Sequence, residues 1–202
     1  SAADPSWGVQ VLVGGPLNFR SPLTIRQDGE PRIRVSRARW RTDPFRAPLY
    51  YAIGVFRRSG DREWALELLH QKLYLEDPPP EVERFSISHG YNLVMLSRGF
   101  RQADGLWARV SAGAVIAHPE STVRGRAYPE DRGLLGLGYH LSGATIGVGV
   151  QGRLPADTLL HGVAEARLTA SYAEVPIAGG HARVPSVSLH LLAGPGVETE
   201  AE

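Results

Sequence analysis

Apolar residues alternate with small or polar ones along most of this chain. In 143–154, GATIGVGVQGRL, Ile146, Val148 and Val150 share one parity, while Thr145, Gly147, Gly149 and Gln151 take the other. Period-two alternation sends the two sets to opposite faces of a strand. The same rhythm sets Trp7, Val9, Val11 and Val13 against Gly8, Gln10, Leu12 and Gly14. It returns with Leu49, Tyr51, Ile53 and Val55, with Leu106, Ala108, Val110, Ala112, Ala114 and Ile116, and with Ala164, Ala166, Leu168, Ala170 and Tyr172. Val187, Leu189 and Leu191 repeat it near the end. Helical periodicity is scarce.

Two stretches are less regular. In 63–75, strict alternation puts His70 and Lys72 on the face of Trp64, Leu66 and Leu68. A bulge near Leu68–Leu69 would instead group Glu67, His70, Lys72 and Tyr74. In 85–100, His89 shares a parity with Phe85, Ile87, Tyr91, Leu93 and Met95. Eight strands follow, over 7–15, 47–57, 63–75, 85–100, 105–118, 137–153, 162–175 and 184–193. Long connections (16–46, 76–84, 119–136, 176–183) alternate with the short turn segments RSGDR, QADG and LPADTLLHG.

This rhythm predicts an all-β fold: a closed antiparallel up-and-down transmembrane β-barrel of eight strands. The face rich in Gly, Ala and Ser suits a narrow interior, and the Val, Ile and Leu face then meets lipid. Closure is required, because an open sheet edge in hydrocarbon leaves backbone groups unpaired. Ten strands are the alternative, if 32–41 and 133–153 each add one. That requires a hairpin at Ser142–Gly143, where the alternation slips as at a bulge. Phe56, Trp64, Phe100 and Trp107 flank short turns and are expected at one level, as half of an interfacial aromatic girdle. A single barrel domain spans 1–202, with a long Arg-rich loop at 16–46 and an acidic tail at 194–202.

Segments such as GLLGLGYHL and ARVSAGAVIAH make the chain resemble the eight-stranded bacterial outer-membrane barrels, the outer-membrane protein A-type domain and its lipid A-modifying relatives. The resemblance covers most of the chain, rests on architecture and identifies no subfamily. It implies an outer-membrane location. One departure is the end, GPGVETEAE, where such barrels usually finish on an aromatic residue.

Composition narrows the picture further. The formal net charge is +1, so no global field steers nucleic acid. Cysteine is absent, which excludes disulfides and thiol chemistry. No apolar run approaches the ~18–20 residues of a spanning helix. The opening SAADPSW is what signal-peptide cleavage leaves, although an arbitrary boundary would look similar.

Four groups of residues could carry chemistry. His70, His89, His118 and His140 fall toward the long-loop rim, with His181 in the last long loop. Without His-x-His or His-x-x-x-His spacing they predict no metal site, and no cofactor is implied. The stretch SISHGYN, 86–92, holds Ser86, Ser88 and His89. The resemblance to lipid A-modifying barrels implies Ser88 or Ser86 as nucleophile, His89 as base and Glu67 or Glu83 as orienting acid. Ser88 and His89 are adjacent, however, and a regular strand would part them.

Loop 16–46 carries eight arginines against Asp28, Glu30 and Asp43, an excess of five (8 − 3). It reads as a hairpin turning at Asp28–Gly29. Arg32, Arg34, Arg37 and Arg39 are its candidate ligand-binding residues, because guanidinium forks match phosphate geometry. The fourth group is Arg109, Gln151, Arg153, Glu165 and Arg167, joined by Glu67 and Lys72. These would point into the lumen and pair there as a plug, since an isolated buried charge is costly.

The leading expectation is a non-enzymatic outer-membrane barrel. Its loops would bind membrane lipids, lipopolysaccharide or a protein partner, and not nucleic acid. A lipid A acyl-modifying enzyme is the alternative, and a soluble lipocalin-like carrier is a third class.

Overall fold

The computed structural model describes residues 5–129, 131–154 and 159–199, and none of these is helical. Thirteen strands run in chain order: β1 (Ser6–Asn18), β2 (Ser21–Gln27), β3 (Ile33–Arg41), β4 (Tyr51–Ser59), β5 (Arg62–Glu76), β6 (Val82–Ala103), β7 (Leu106–Ala117), β8 (Glu120–Val123), β9 (Arg126–Ala127), β10 (His140–Leu154), β11 (Leu160–Ile177), β12 (Gly180–Arg183) and β13 (Ser186–Glu198). Eight of them close a ring of antiparallel neighbours: β1, β4, β5, β6, β7, β10, β11 and β13, with β13 returning to β1. The eight-stranded expectation holds. β10 runs unbroken through Ser142–Gly143, with only a register slip between Leu141 and Gly143.

Alternation decides which face is which. Ile146, Val148 and Val150 project outward and are exposed, as are Val9, Val11, Val13, Val55, Leu66 and Val110. The opposite faces carry Gln10, Glu67, Arg109, Gln151, Glu165 and Arg167, all buried. An apolar exterior around a charged interior is the surface of a membrane-spanning barrel. It overturns the soluble-carrier alternative, which needs the reverse. Gly147 shows why the inner face is small. A Cβ there would meet Ser111 Oγ at 2.6 Å and Leu168 O at 3.3 Å.

Above the ring the wall continues as a second tier. The β2–β3 hairpin turns at 28–30, with Gly29 in the left-handed region at φ +77°. β3 pairs with the upper end of β5, and β2 pairs with β12, which pairs with the upper end of β11. β8 lies beside the upper part of β6. This tier encloses an apolar core that includes Leu23, Ile25, Trp40, Phe85, Ile87, Val123, Val175 and Ala182. Trp40 packs on Phe85 at 6.0 Å between centroids and donates to Ser21 Oγ at 3.0 Å. Gln27 closes the top, donating to the carbonyls of Val123 and Ala178.

Three sequence expectations need correction. The break in β5 lies between Gln71 and Leu73, not at Leu68–Leu69. Two extra residues are accommodated in β6 opposite it: Gln71 pairs with Tyr91, but Leu73 pairs with Ile87. The girdle also keeps only half its members. Trp64 and Phe100 are exposed, joined by Trp7, whereas Phe56 and Trp107 are buried inside. There they hold Arg58, whose guanidinium carbon lies 4.3 and 4.9 Å from their centroids. Their parity requires it, since Trp107 shares a face with Arg109. Lastly, residues 194–198 are not tail but part of β13, paired with β1 and β11.

Candidate functional site

The lower lumen is filled by ions. Arg109 lies 2.9 Å from Glu63, 2.9 Å from Glu67 and 3.0 Å from Glu165. Arg167 lies 2.8 Å from Glu67 and 2.7 Å from Glu165. Arg58 joins Glu63 and Glu198, each at 2.7 Å, and Arg153 also reaches Glu198. Four arginines face four glutamates, so this network is formally neutral. The sequence placed Arg109, Arg153, Glu165, Arg167 and Glu67 here, together with Gln151, which bridges Gln10 and Glu165. It missed Arg58, taken as a turn residue, Glu63, read only as the first residue of the 63–75 strand, and Glu198, taken as tail. Lys72 is not a member. It lies under the 42–50 segment and donates to the Arg46 carbonyl at 2.6 Å.

A second cluster sits at the outer rim, where the β5–β6 irregularity lies. Gly90 adopts φ +130°, a conformation that side chains disfavour. The kink lets adjacent Ser88 and His89 turn to the same side. Ser88 Oγ lies 3.1 Å from His89 Nδ1 and donates to Glu120 Oε1. His89 Nδ1 is 2.8 Å from that same carboxylate oxygen. Arg84 holds the other oxygen, Oε2. His118 completes the group, its ring 4.8 Å from that of His89 and its backbone N–H on Gly90 O at 3.0 Å. Tyr139 meets His118 edge-on and donates to the His89 carbonyl at 3.1 Å.

Ser88, His118 and Glu120 are buried, while the His89 side chain is 54% exposed. Burial raises the Glu120 carboxyl. Hydrogen bonds from Ser88 and His89, with the charge of Arg84, more than offset this and hold it below the usual carboxylate range.

The carboxylate beside Ser88 and His89 is thus Glu120, and not the Glu67 or Glu83 expected from the resemblance. Glu67 pairs in register with Met95, down in the plug, and Glu83 accepts from the Gly125 N–H. Ser86 is buried opposite Glu120, and its hydroxyl has no hydrogen-bond partner among the described residues. The remaining histidines go elsewhere. His70 stacks on Tyr51 and contacts Asn92 at 2.7 Å, His140 meets the Tyr128 hydroxyl at 3.3 Å, and His181 lies on β12. One signal for the cluster was legible: His118 and Glu120 are two apart, the spacing that sets strand residues on one side.

The third feature is a basic face on the upper tier. Arg183, Thr24 and Arg34 lie side by side across β12, β2 and β3, and His181 lies beside Arg26. Arg26, burial, Arg34 and Arg183 together push Arg32 below its usual pKa, a sign of like charges crowded at the surface. Glu174 answers Arg183 at 3.0 Å. Arg39 turns aside to Glu76 and Asp77, and Arg37 is exposed further along β3.

No protein-family model matches the chain, and no curated protein does. Among solved structures it is similar to Ail, the attachment invasion locus protein of Yersinia pestis, at 11% identity and a TM-score of 0.45, over 98% of this chain and 100% of that one. A structure of Ail in complex with the heparin analogue sucrose octasulfate matches at 11% identity and a TM-score of 0.43, with the same coverage. Outer membrane protein AlkL matches at 10% identity and a TM-score of 0.49, over 99% of this chain and 92% of that one.

Proposed function

We propose that this chain is a plugged bacterial outer-membrane barrel that presents a basic β-platform to phosphate groups of lipopolysaccharide. The register that brings Arg183, Arg26 and Arg34 together across β12, β2 and β3, with exposed Arg32 beside them, carries this reading. Like charges held together favour a multivalent anion, and guanidinium groups take phosphate oxygens in pairs. The ion network below supplies a rigid base, and the apolar exterior holds the platform at the membrane surface. The platform shifts the sequence-based assignment, since Arg39 lies aside with Glu76 and Asp77, while Arg26 and Arg183, the latter also held by Glu174, crowd Arg32 and Arg34.

The test is binding of lipopolysaccharide to the protein folded in neutral detergent, with dephosphorylated lipopolysaccharide as comparison. Changing Arg26, Arg32, Arg34 and Arg183 to Gln should weaken binding at least about tenfold and flatten its salt dependence. Unchanged affinity would sink the proposal, as would equal affinity for the dephosphorylated form. Retention in membranes through a carbonate wash is expected throughout.

Acyl modification of lipid A is a second reading, favoured by the Ser88–His89 contact of 3.1 Å. Its weakness is that His89 meets both Ser88 and Glu120 through one nitrogen, Nδ1. A base in a triad uses one ring nitrogen for the hydroxyl and the other for the acid. Mass spectra of lipid A from cells making the protein or its His89→Ala form decide it. Identical spectra dismiss the enzyme.

A further inference from the structure

We propose that His89, His118 and Glu120 form a binding site for a divalent transition metal at the outer rim of the barrel. One ligand atom from each lies within 4.8 Å of the other two. In a tetrahedral zinc site, bonds of about 2.0–2.1 Å put donors roughly 3.3 Å apart. Side-chain adjustments of about an ångström close that difference, and His89, with a 54% exposed side chain, is the least confined of the three.

Three observations point to a ligand. His89 Nδ1 and Ser88 Oγ both converge on Glu120 Oε1, the oxygen that Arg84 leaves free. An ion that replaced the proton shared by His89 Nδ1 and Glu120 Oε1 would find an imidazole and a carboxylate donor already side by side. Second, His118 is only 7% exposed, and its Nδ1 has no hydrogen-bond partner among the described residues. A buried, unsatisfied ring nitrogen is costly unless something occupies it. Third, the surroundings hold these groups in place as the outer shell of a metal site does. Gly90 O accepts from the His118 backbone, Tyr139 packs against the His118 ring and fixes the His89 carbonyl, and Arg84 orients the carboxylate.

Two imidazoles and one carboxylate select zinc, nickel or copper over calcium or magnesium, which prefer oxygen donors throughout. With three protein ligands and His89 facing solvent, a fourth position stays open to water or the Ser88 hydroxyl. This site is separate from the basic platform and does not depend on it.

The full chain, folded in detergent and stripped with chelator, is titrated with Zn²⁺ by calorimetry and with Co²⁺ by visible absorption. One equivalent should bind, and millimolar Ca²⁺ or Mg²⁺ should not displace it. His89→Ala, an exposed change that leaves the fold intact, should weaken binding at least about tenfold, and so should His118→Ala and Glu120→Gln. His181→Ala, on β12, should bind as the parent does. Folding of each variant is checked by its heat-dependent gel mobility. Parental Zn²⁺ affinity in the folded His89→Ala form overturns the proposal, as does absence of stoichiometric binding. Displacement by Ca²⁺ overturns the metal class.

Discussion

Arg109→Met is the sharpest probe of the barrel's interior. Arg109 is buried and reaches Glu63, Glu67 and Glu165 at 2.9–3.0 Å. Against an effective dielectric of about 20, each such attraction is worth about 4 kcal/mol in gross terms. Desolvation of several kcal/mol per ion and repulsion from neighbouring Arg167 cancel most of that. Removing one partner leaves a buried carboxylate unmatched, and such breaks cost about 3–5 kcal/mol. Methionine keeps the volume, so lost packing adds little. The assay is urea unfolding of the barrel in phosphatidylcholine vesicles, followed by fluorescence of Trp7, Trp40, Trp64 and Trp107.

A companion change supplies the control. Glu165→Gln together with Arg109→Met returns the network to formal neutrality, three arginines against three glutamates. The pair should therefore be more stable than Arg109→Met alone. Two outcomes would refute the reasoning. One is a single variant within about 0.5 kcal/mol of the parent, the range of ordinary surface changes. The other is a double variant less stable than both singles.

Three further predictions rest on the same architecture. Val148 lies on the outer face of β10, 56% exposed, so Val148→Arg should destabilise the vesicle-embedded barrel by about 2–4 kcal/mol; a negligible effect would mean the face does not meet lipid. Gly147→Ala should cost about 1–3 kcal/mol by overpacking against Ser111, and adding Ser111→Gly should recover part of it in the same urea titration. Planar-bilayer recordings should find no steady conductance, because ions fill the lower lumen and apolar side chains the upper tier; reproducible open-channel steps would contradict that packing.

Much of the fold was legible because alternation is a local signal. Ile146, Val148 and Val150 against Gly147 and Gln151 require a strand with one face in an apolar medium and the other in a confined one. Eight such runs, joined by alternating long and short connections, lead to a closed ring. The inward charges Arg109, Glu165 and Arg167 were readable from parity alone, and the β2–β3 turn from Asp28–Gly29.

Tertiary structure decided what parity cannot carry across an irregularity or between distant strands. The slip opposite Gln71–Leu73, with Gly90 at positive φ, puts Ser88 and His89 on one side although alternation parts them. His118 and Glu120 arrive from beyond the next strand, so no spacing in SISHGYN announces them. Glu198 looked like tail because its partners, Arg58 and Arg153, are far away in sequence. Arg26 and Arg183 meet only because β12 inserts beside β2. Local periodicity determines where each side chain points; which charges then face one another depends on ring closure, and only the folded chain sets that.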